Sequence, residues 1–162
     1  MKTLFLLRHA KTEHAAPGIE DFDRKLTPQG SADGLRVGAY LKQCEPTVEQ
    51  IISSPAIRAR ETTELVKQAA GLDLEVQYDR RMYEADPQLM LDIVSEGDAA
   101  LSCILLVGHN PAMEDFLRGL TGQLVSLSAG SLAQVESPET NWIDVKPGNC
   151  KLKFALSPAE MM

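Results

Sequence analysis

Two runs of the chain are apolar without a break: Leu4 to Leu7 inside "TLFLL" and Cys103 to Val107 inside "SCILLVG". A strand with one wet face alternates apolar and polar residues, whereas a strand apolar throughout is covered on both faces. Helical patterns lie between the strand patterns. "LTPQGSADGLRVGAYLKQC" (26–44) predicts a helix capped by Thr27 with Pro28 in its first position. "QIISS" (50–54) predicts a short strand, and "PAIRARETTELVKQAAG" (55–71) a helix with Ser54 as cap, Pro55 first and Gly71 as its stop. "LEVQY" (74–78) is strand-like, "DPQLMLDIVSEG" (86–97) helical, and "NPAMEDFLRGLTG" (110–122) helical with Asn110 as cap. "SLAQVES" (131–137), "NWIDV" (141–145) and "KLKFALS" (151–157) are expected as closing strands, the last pair antiparallel. Alternating strands and helices with doubly buried strands predict an α/β fold: a three-layer α/β/α sandwich whose mostly parallel central sheet carries helices on both faces. The length of 162 residues fits one domain, 1–162, with a sizeable core.

Composition removes several classes of function. No apolar run approaches the roughly 18–20 residues of a membrane span. The start "MKTLFLLRHA" has only four apolar residues in a row before Arg8, too few for a signal peptide, so a cytoplasmic protein is expected. The net charge of −7 disfavours nucleic acid and anionic membranes as partners. An anionic substrate would therefore need local attraction. Cys44, Cys103 and Cys150 are odd in number and form no CxxC pair, so reduced thiols are expected, with no metal and no cofactor.

In open parallel sheets, ligands bind beyond the C-terminal ends of the strands. Three strand ends carry unusual residues. Arg8 and His9 follow Leu7; Arg58 follows the 50–54 strand and a Ser-Pro turn; His109 follows Val107 and Gly108. Taken singly, each has a plain structural reading: a surface arginine, a solvated helix residue, a turn histidine. The third histidine, His14, lies in a polar loop and fits no such position. Arg58 and Arg60 stand in the first turns of a helix, where the macrodipole disfavours cations, and a bound anion would remove that cost. His109 precedes a helix whose free N–H groups also favour an anion. Two forked guanidiniums and a helix start suit a phosphate. No GxxxxGK[ST] loop is present, which leaves direct phosphoryl transfer to a histidine. His9 in that role needs its other ring nitrogen tied to an acceptor, for which a backbone carbonyl serves.

"LLRHAKTE", "RKLTPQG", "SSPAIRARET" and "VGHNP" occur in the order seen in the histidine phosphatase superfamily, and the chain resembles its short, SixA-type phosphohistidine phosphatase branch from Leu4 to about Ser157. The resemblance implies a phosphoglycerate mutase-like fold. It implies His9 as the nucleophile that becomes phosphorylated, with Arg8, Arg58 and His109 holding the phosphoryl oxygens. Arg24 resembles a further phosphate-contacting arginine; pairing with Asp21 or Asp23 is the other reading. Ser131, in "SAGSLAQ", resembles a hydroxyl at the pocket edge, or is a polar loop residue. Asn110 is a helix cap or a ligand. The family's third motif residue is commonly glycine and here is Ala10, which demands an ordinary backbone conformation.

Large superfamily members use a carboxylic acid to protonate the leaving group. The candidate here is Glu84 in "RRMYEADPQ"; the other readings are an exposed glutamate or a partner for Arg80 or Arg81. Glu13 and Asp86 are weaker candidates. A phosphoserine ester leaves as a poor alkoxide and needs the acid, whereas phosphohistidine leaves as neutral imidazole once its ring is protonated. "YDRRMYEADPQLML" leaves little room for a cap over the pocket, which suits a residue displayed on a protein. The expected function is a metal-independent phosphatase that removes phosphate from phosphohistidine on a protein through a phosphohistidine enzyme, with water hydrolysing it assisted by Glu84 or His109. Its expected partner is a phosphorylated protein or a small phosphorylated substrate. The alternatives are a phosphatase of small phosphoesters and a non-catalytic phosphoprotein-binding module.

Overall fold

A computed structural model describes residues 1–161; Met162, the last residue of the expected domain, lies outside the described residues. Six strands form one sheet: β1 (Lys2–Arg8), β2 (Gln50–Ser53), β3 (Val76–Tyr78), β4 (Cys103–Gly108), β5 (Leu132–Ser137) and β6 (Lys151–Leu156), in the order β3-β2-β4-β1-β5-β6. Four helices connect them: α1 (Pro28–Leu41), α2 (Ile57–Ala70), α3 (Pro87–Ser95) and α4 (Ala112–Thr121). β1 pairs with β4 in parallel, and β2 is parallel to both β4 and β3. β5 is antiparallel to β1 and to β6, so β5 alone runs against the rest.

The unbroken apolar runs occupy the two central strands, as covering on both faces requires. Side chains alternate across the sheet. Leu4, Leu6, Ile104 and Leu106 pack with Met90 and Ile93 of α3 and with Met113 and Phe116 of α4. Phe5, Leu7, Leu105 and Val107 pack on the other side with Val37 and Leu41 of α1 and with Ala59 and Val66 of α2. This is the expected three-layer sandwich.

Local chemistry explains the helix ends. Thr27 caps α1, its hydroxyl accepting the Gly30 N–H at 3.0 Å. A Cβ on Gly30 would collide with the carbonyl oxygen of Lys11, so glycine lets α1 start against the segment that follows β1. Gly38 lets α1 approach Val66 and Ala69 of α2. Gly71 ends α2 in the left-handed conformation, with φ of 68°.

Three expectations need correction. Residues 141–145 are not a strand: Trp142–Asp144 is a single 3₁₀ turn, and Trp142 is fully buried with its indole N–H donating to the Leu101 carbonyl at 2.8 Å. Burying that ring, rather than strand pairing, accounts for the apolar pattern there. The helix after β2 starts at Ile57, so Ser54 is not its cap; the Ser54 hydroxyl instead accepts the Ala56 N–H at 3.2 Å. The helix expected from Asn110 starts at Ala112, and Asn110 reaches it only through a 3.3 Å bond from the Glu114 N–H.

Candidate active site

The register Arg8↔Gly108 between β1 and β4 fixes the site. It brings Arg8 and His9, at the end of one strand, beside Gly108 and His109, at the end of its parallel neighbour. The His9 N–H donates to the Gly108 carbonyl at 3.1 Å, and the two imidazole centroids are 5.2 Å apart. At the end of β2, Ser54 ties its N–H to the Val107 carbonyl, and Arg58 follows in the first turn of α2. Three parallel strands thus deliver their C-terminal residues to one cleft of about 760 Å³. Arg8, His9, Arg24, Arg58, Glu84, His109 and Asn110 all border it, and so does His14, contrary to expectation.

His9 is 9% exposed. Its Nδ1 lies 2.8 Å from the carbonyl oxygen of Ala10. A carbonyl only accepts, so Nδ1 carries the hydrogen and Nε2 keeps a free lone pair. Ala10 has an ordinary backbone, as its methyl group demands; no residue other than glycine has a positive φ among the described residues. Burial pushes the His9 imidazole down to about 4 against the help of the Ala10 bond, and Arg58, Arg8 and Arg24 push the same way. His9 is therefore uncharged at neutral pH. Burial, then the neighbouring His9 and Arg58, take His109 down to about 3. The Nε2 of His109 is 2.7 Å from the Ser54 hydroxyl.

Each of the two central arginines is gripped by the outer part of its fork. Arg8 donates from Nη1 to the Leu127 carbonyl at 2.8 Å. Arg58 donates from Nη1 to the Asp21 carbonyl at 2.7 Å and from Nη2 to the Asp21 carboxylate at 3.0 Å. The Nε of Arg8, the Nε of Arg58 and the Nδ1 of His109 are buried and have no hydrogen-bond partner among the described residues. Buried donors without partners are costly, and an oxyanion supplies acceptors to several at once.

Arg24 pairs with one of the two carboxylates expected for it. It borders the cleft, and it pairs with Asp21 at 3.0 Å, not with Asp23, while its other nitrogens reach Thr12 Oγ1 at 2.5 Å and the Glu13 carbonyl at 3.2 Å. Glu84 is exposed on the rim and makes no salt bridge with Arg80 or Arg81 among the described residues; Arg81 is taken by Asp79 and Glu96, each at 2.7 Å. Glu13 and Asp86 lie outside the cleft lining, and Asp86 caps α3 by accepting the Leu89 N–H at 2.8 Å. Ser131 does not reach the cleft. It is 3% exposed, its hydroxyl is paired with Ser128 at 3.0 Å, and its carbonyl accepts the Arg8 N–H, so it supports the end of β1. Arg60 stacks on Tyr78 at 3.8 Å, away from the cleft. Asn110 donates to the same Leu127 carbonyl as Arg8, at 2.9 Å. Among the described residues no group of three or more His, Cys, Asp and Glu is placed to hold a metal ion, and no helix is long and apolar enough to cross a membrane.

Sequence reading named Asp21 only as one of two possible partners of Arg24, and it missed what Tyr83 and Ser54 do in the site. Asp21 is the hub of the cleft wall: its carboxylate accepts from Arg24, from Arg58 and, at 2.8 Å, from the Tyr83 hydroxyl. Burial opposes its ionisation, but the bonds from Tyr83, Arg24 and Arg58 hold it at about 2. Tyr83 sits edge-on to His109, with centroids 5.6 Å apart. Ser54 read as a cap. The only sequence signal for Asp21 was its place three residues before Arg24.

Fold and site together define an α/β protein with a cation-lined pocket built around an uncharged histidine. A sequence model described as "Histidine phosphatase superfamily (branch 1)" matches residues 4–100, and the chain belongs to that family. It is 30% identical over 156 residues to the functionally uncharacterised protein Rv1276c of Mycobacterium tuberculosis, covering 88% of this chain and 93% of that one. It is 28% identical over 145 residues to a phosphohistidine phosphatase SixA homolog of Haemophilus influenzae, covering 82% and 86%. A candidate SixA phosphohistidine phosphatase from Agrobacterium tumefaciens superposes with a TM-score of 0.84 at 28% identity, over 97% of this chain and 98% of the other. Family membership and this likeness to SixA-type proteins support a phosphatase.

Proposed function

We propose that this chain is a metal-independent phosphatase that works through phosphorylated His9, with phosphohistidine on a protein as its substrate. The observation that carries the reading is the 2.8 Å contact from His9 Nδ1 to the Ala10 carbonyl. It places the hydrogen of the ring, which burial and the neighbouring arginines keep uncharged, on Nδ1 and leaves the Nε2 lone pair free, beside the unpartnered N–H groups of Arg8 and Arg58. In the first step Nε2 attacks phosphorus in line, the bond from phosphorus to the substrate breaks, and the leaving group takes the bonding pair. In the second step water attacks, the bond from phosphorus to Nε2 breaks, its electron pair returns to the ring, and the protons of the water leave with the released phosphate. Arg8, Arg58, Arg24 and His109 stabilise the equatorial oxygens, which is the main demand of phosphoryl transfer.

Three features support a phosphohistidine substrate. A relative carries that name, the link from β3 to α3 spans only residues 79–86 and builds no cap, and the wall carboxylate Asp21 is held ionised and so cannot serve as an acid. Glu84 on the rim supports the second reading, hydrolysis of small phosphoesters. The test is hydrolysis of a phosphohistidine-bearing protein and of p-nitrophenyl phosphate in the presence of a chelator, by wild type, His9→Ala and Glu84→Gln. The proposal expects turnover by wild type and none by His9→Ala. Glu84→Gln should retain phosphohistidine hydrolysis and lose that of the ester. Turnover by His9→Ala equal to wild type, or none by wild type, overturns the proposal, and the latter outcome favours a binding module.

A further inference from the structure

We propose that Ser54 sets the tautomer of His109, so that an uncharged imidazole presents an N–H to the phosphoryl group. The inference rests on the phosphoryl-site reading above and goes beyond it to a positioning residue. It starts from counting hydrogens. The Ser54 hydroxyl is fully buried and touches two groups: the Ala56 N–H, which it accepts at 3.2 Å, and the Nε2 of His109, 2.7 Å away. A serine hydroxyl has one hydrogen to give. If it gives that hydrogen to Nε2, His109 carries its own on Nδ1, and one buried donor is left, the Nδ1–H. If instead Nε2–H donates to Ser54, the serine hydrogen has no acceptor among the described residues and Nδ1 is a bare buried acceptor. The first arrangement leaves one group unsatisfied and the second leaves two.

The surroundings select the same arrangement. His109 borders the cleft and faces cations from Arg8 and Arg58, the His9 ring at 5.2 Å and the Tyr83 edge at 5.6 Å. Of the two carboxylates bordering the cleft, Glu84 lies exposed on the rim and Asp21 is held by Arg24, Arg58 and Tyr83. A second positive imidazole is disfavoured in that setting, in line with the low proton affinity of the ring. A neutral ring with a bare Nδ1 would turn a lone pair toward any bound oxyanion. A neutral ring with Nδ1–H gives that anion a donor without adding charge to the pocket. Ser54 thus does for His109 what the Ala10 carbonyl does for His9: each partner takes one ring nitrogen and dictates what the other offers.

The test is direct because the chain has three histidines, His9, His14 and His109. Protein labelled with ¹⁵N-histidine is examined by long-range ¹H–¹⁵N correlation at pH 7, assigned with His9→Ala and His14→Ala, then titrated with inorganic phosphate. The expected result is His109 as the Nδ1–H tautomer, with that proton shifting as phosphate is added. Ser54→Ala should lose the pure Nδ1–H pattern and about tenfold in kcat, and Ser54→Thr, which keeps the hydroxyl, should retain both. An Nε2–H or doubly protonated His109 in wild type, or no shift with phosphate, overturns the proposal. So does an unchanged pattern in Ser54→Ala. If Ser54→Ala does not fold, the wild-type spectrum and Ser54→Thr still decide. Absence of turnover by wild type, with the tautomer as expected, sinks the phosphatase reading and leaves the hold of Ser54 on His109 intact.

Discussion

Asp21 shows how one exposed carboxylate can govern a cationic pocket. Its backbone carbonyl and its side chain both take hydrogen bonds from Arg58, and the same carboxylate holds Arg24 and Tyr83. By occupying the outer nitrogens of Arg58 it decides which edge of the guanidinium is left for an oxyanion. Small misplacements of a positioning group cost up to about a hundredfold in rate. Asp21→Ala is therefore expected to lower kcat/KM on p-nitrophenyl phosphate by roughly tenfold to a hundredfold. Asp23→Ala, which removes an exposed carboxylate that does not pair with Arg24, should leave it unchanged. Steady-state kinetics on the two variants check this, and equal rates for both would refute it. The four cationic and imidazole residues of the site were legible because each stands directly after an apolar strand or in the turn that follows one. The hold of Asp21 on Arg58 and that of Ser54 on His109 were not. Both depend on contacts across 37 and 55 positions of chain, which local patterns do not encode.

At the level of elements, legibility followed burial. β1 and β4 announced themselves because both of their faces are covered, and α1 because Thr27 and Pro28 mark its start. The 141–145 segment misled because one fully buried indole gives a short segment the apolar character of a strand. The start of α2 misled because Ser54 has the chemistry of a cap but stands too early in the chain, and its hydroxyl is engaged by His109. Asp86 is the converse case: it entered as a weak candidate acid and proves to be the cap of α3. Loss of such a cap costs about 1 kcal/mol. Asp86→Ala should thus lower the stability measured by urea unfolding by about 1 kcal/mol and change kcat/KM by less than twofold. A large loss of activity with unchanged stability would return Asp86 to the chemistry.

Across the whole molecule, the pocket is a local exception to the global charge. The chain carries −7, yet Arg8, Lys11, Arg24 and Arg58 border one cleft with only Asp21 and Glu84 opposing them. Keeping two histidines uncharged among those cations links stability to pH. His9 and His109 bind protons at about 4 and about 3 in the folded chain, against about 6.5 when unfolded. Between those values the unfolded state holds more protons, so stability rises with pH across that window. Their contribution is fully present above about pH 6.5, falls as the pH drops below it, and levels off below the folded values. Urea unfolding of wild type from pH 7.5 to 4.5 should show this fall, and His9→Ala should show a shallower one. Equal slopes would mean that His9 is not buried in its neutral form. The central claim, that His9 carries the phosphoryl group, is tested most directly by trapping the intermediate. Wild type and His9→Ala are mixed with a ³²P-labelled phosphohistidine protein or phosphoester, quenched in alkali within milliseconds, and the labelled peptide is identified. The account predicts a phosphate on His9 that survives alkali and is lost in acid, and no label in His9→Ala. A label that resists acid, that maps to another residue, or that persists in His9→Ala would contradict it.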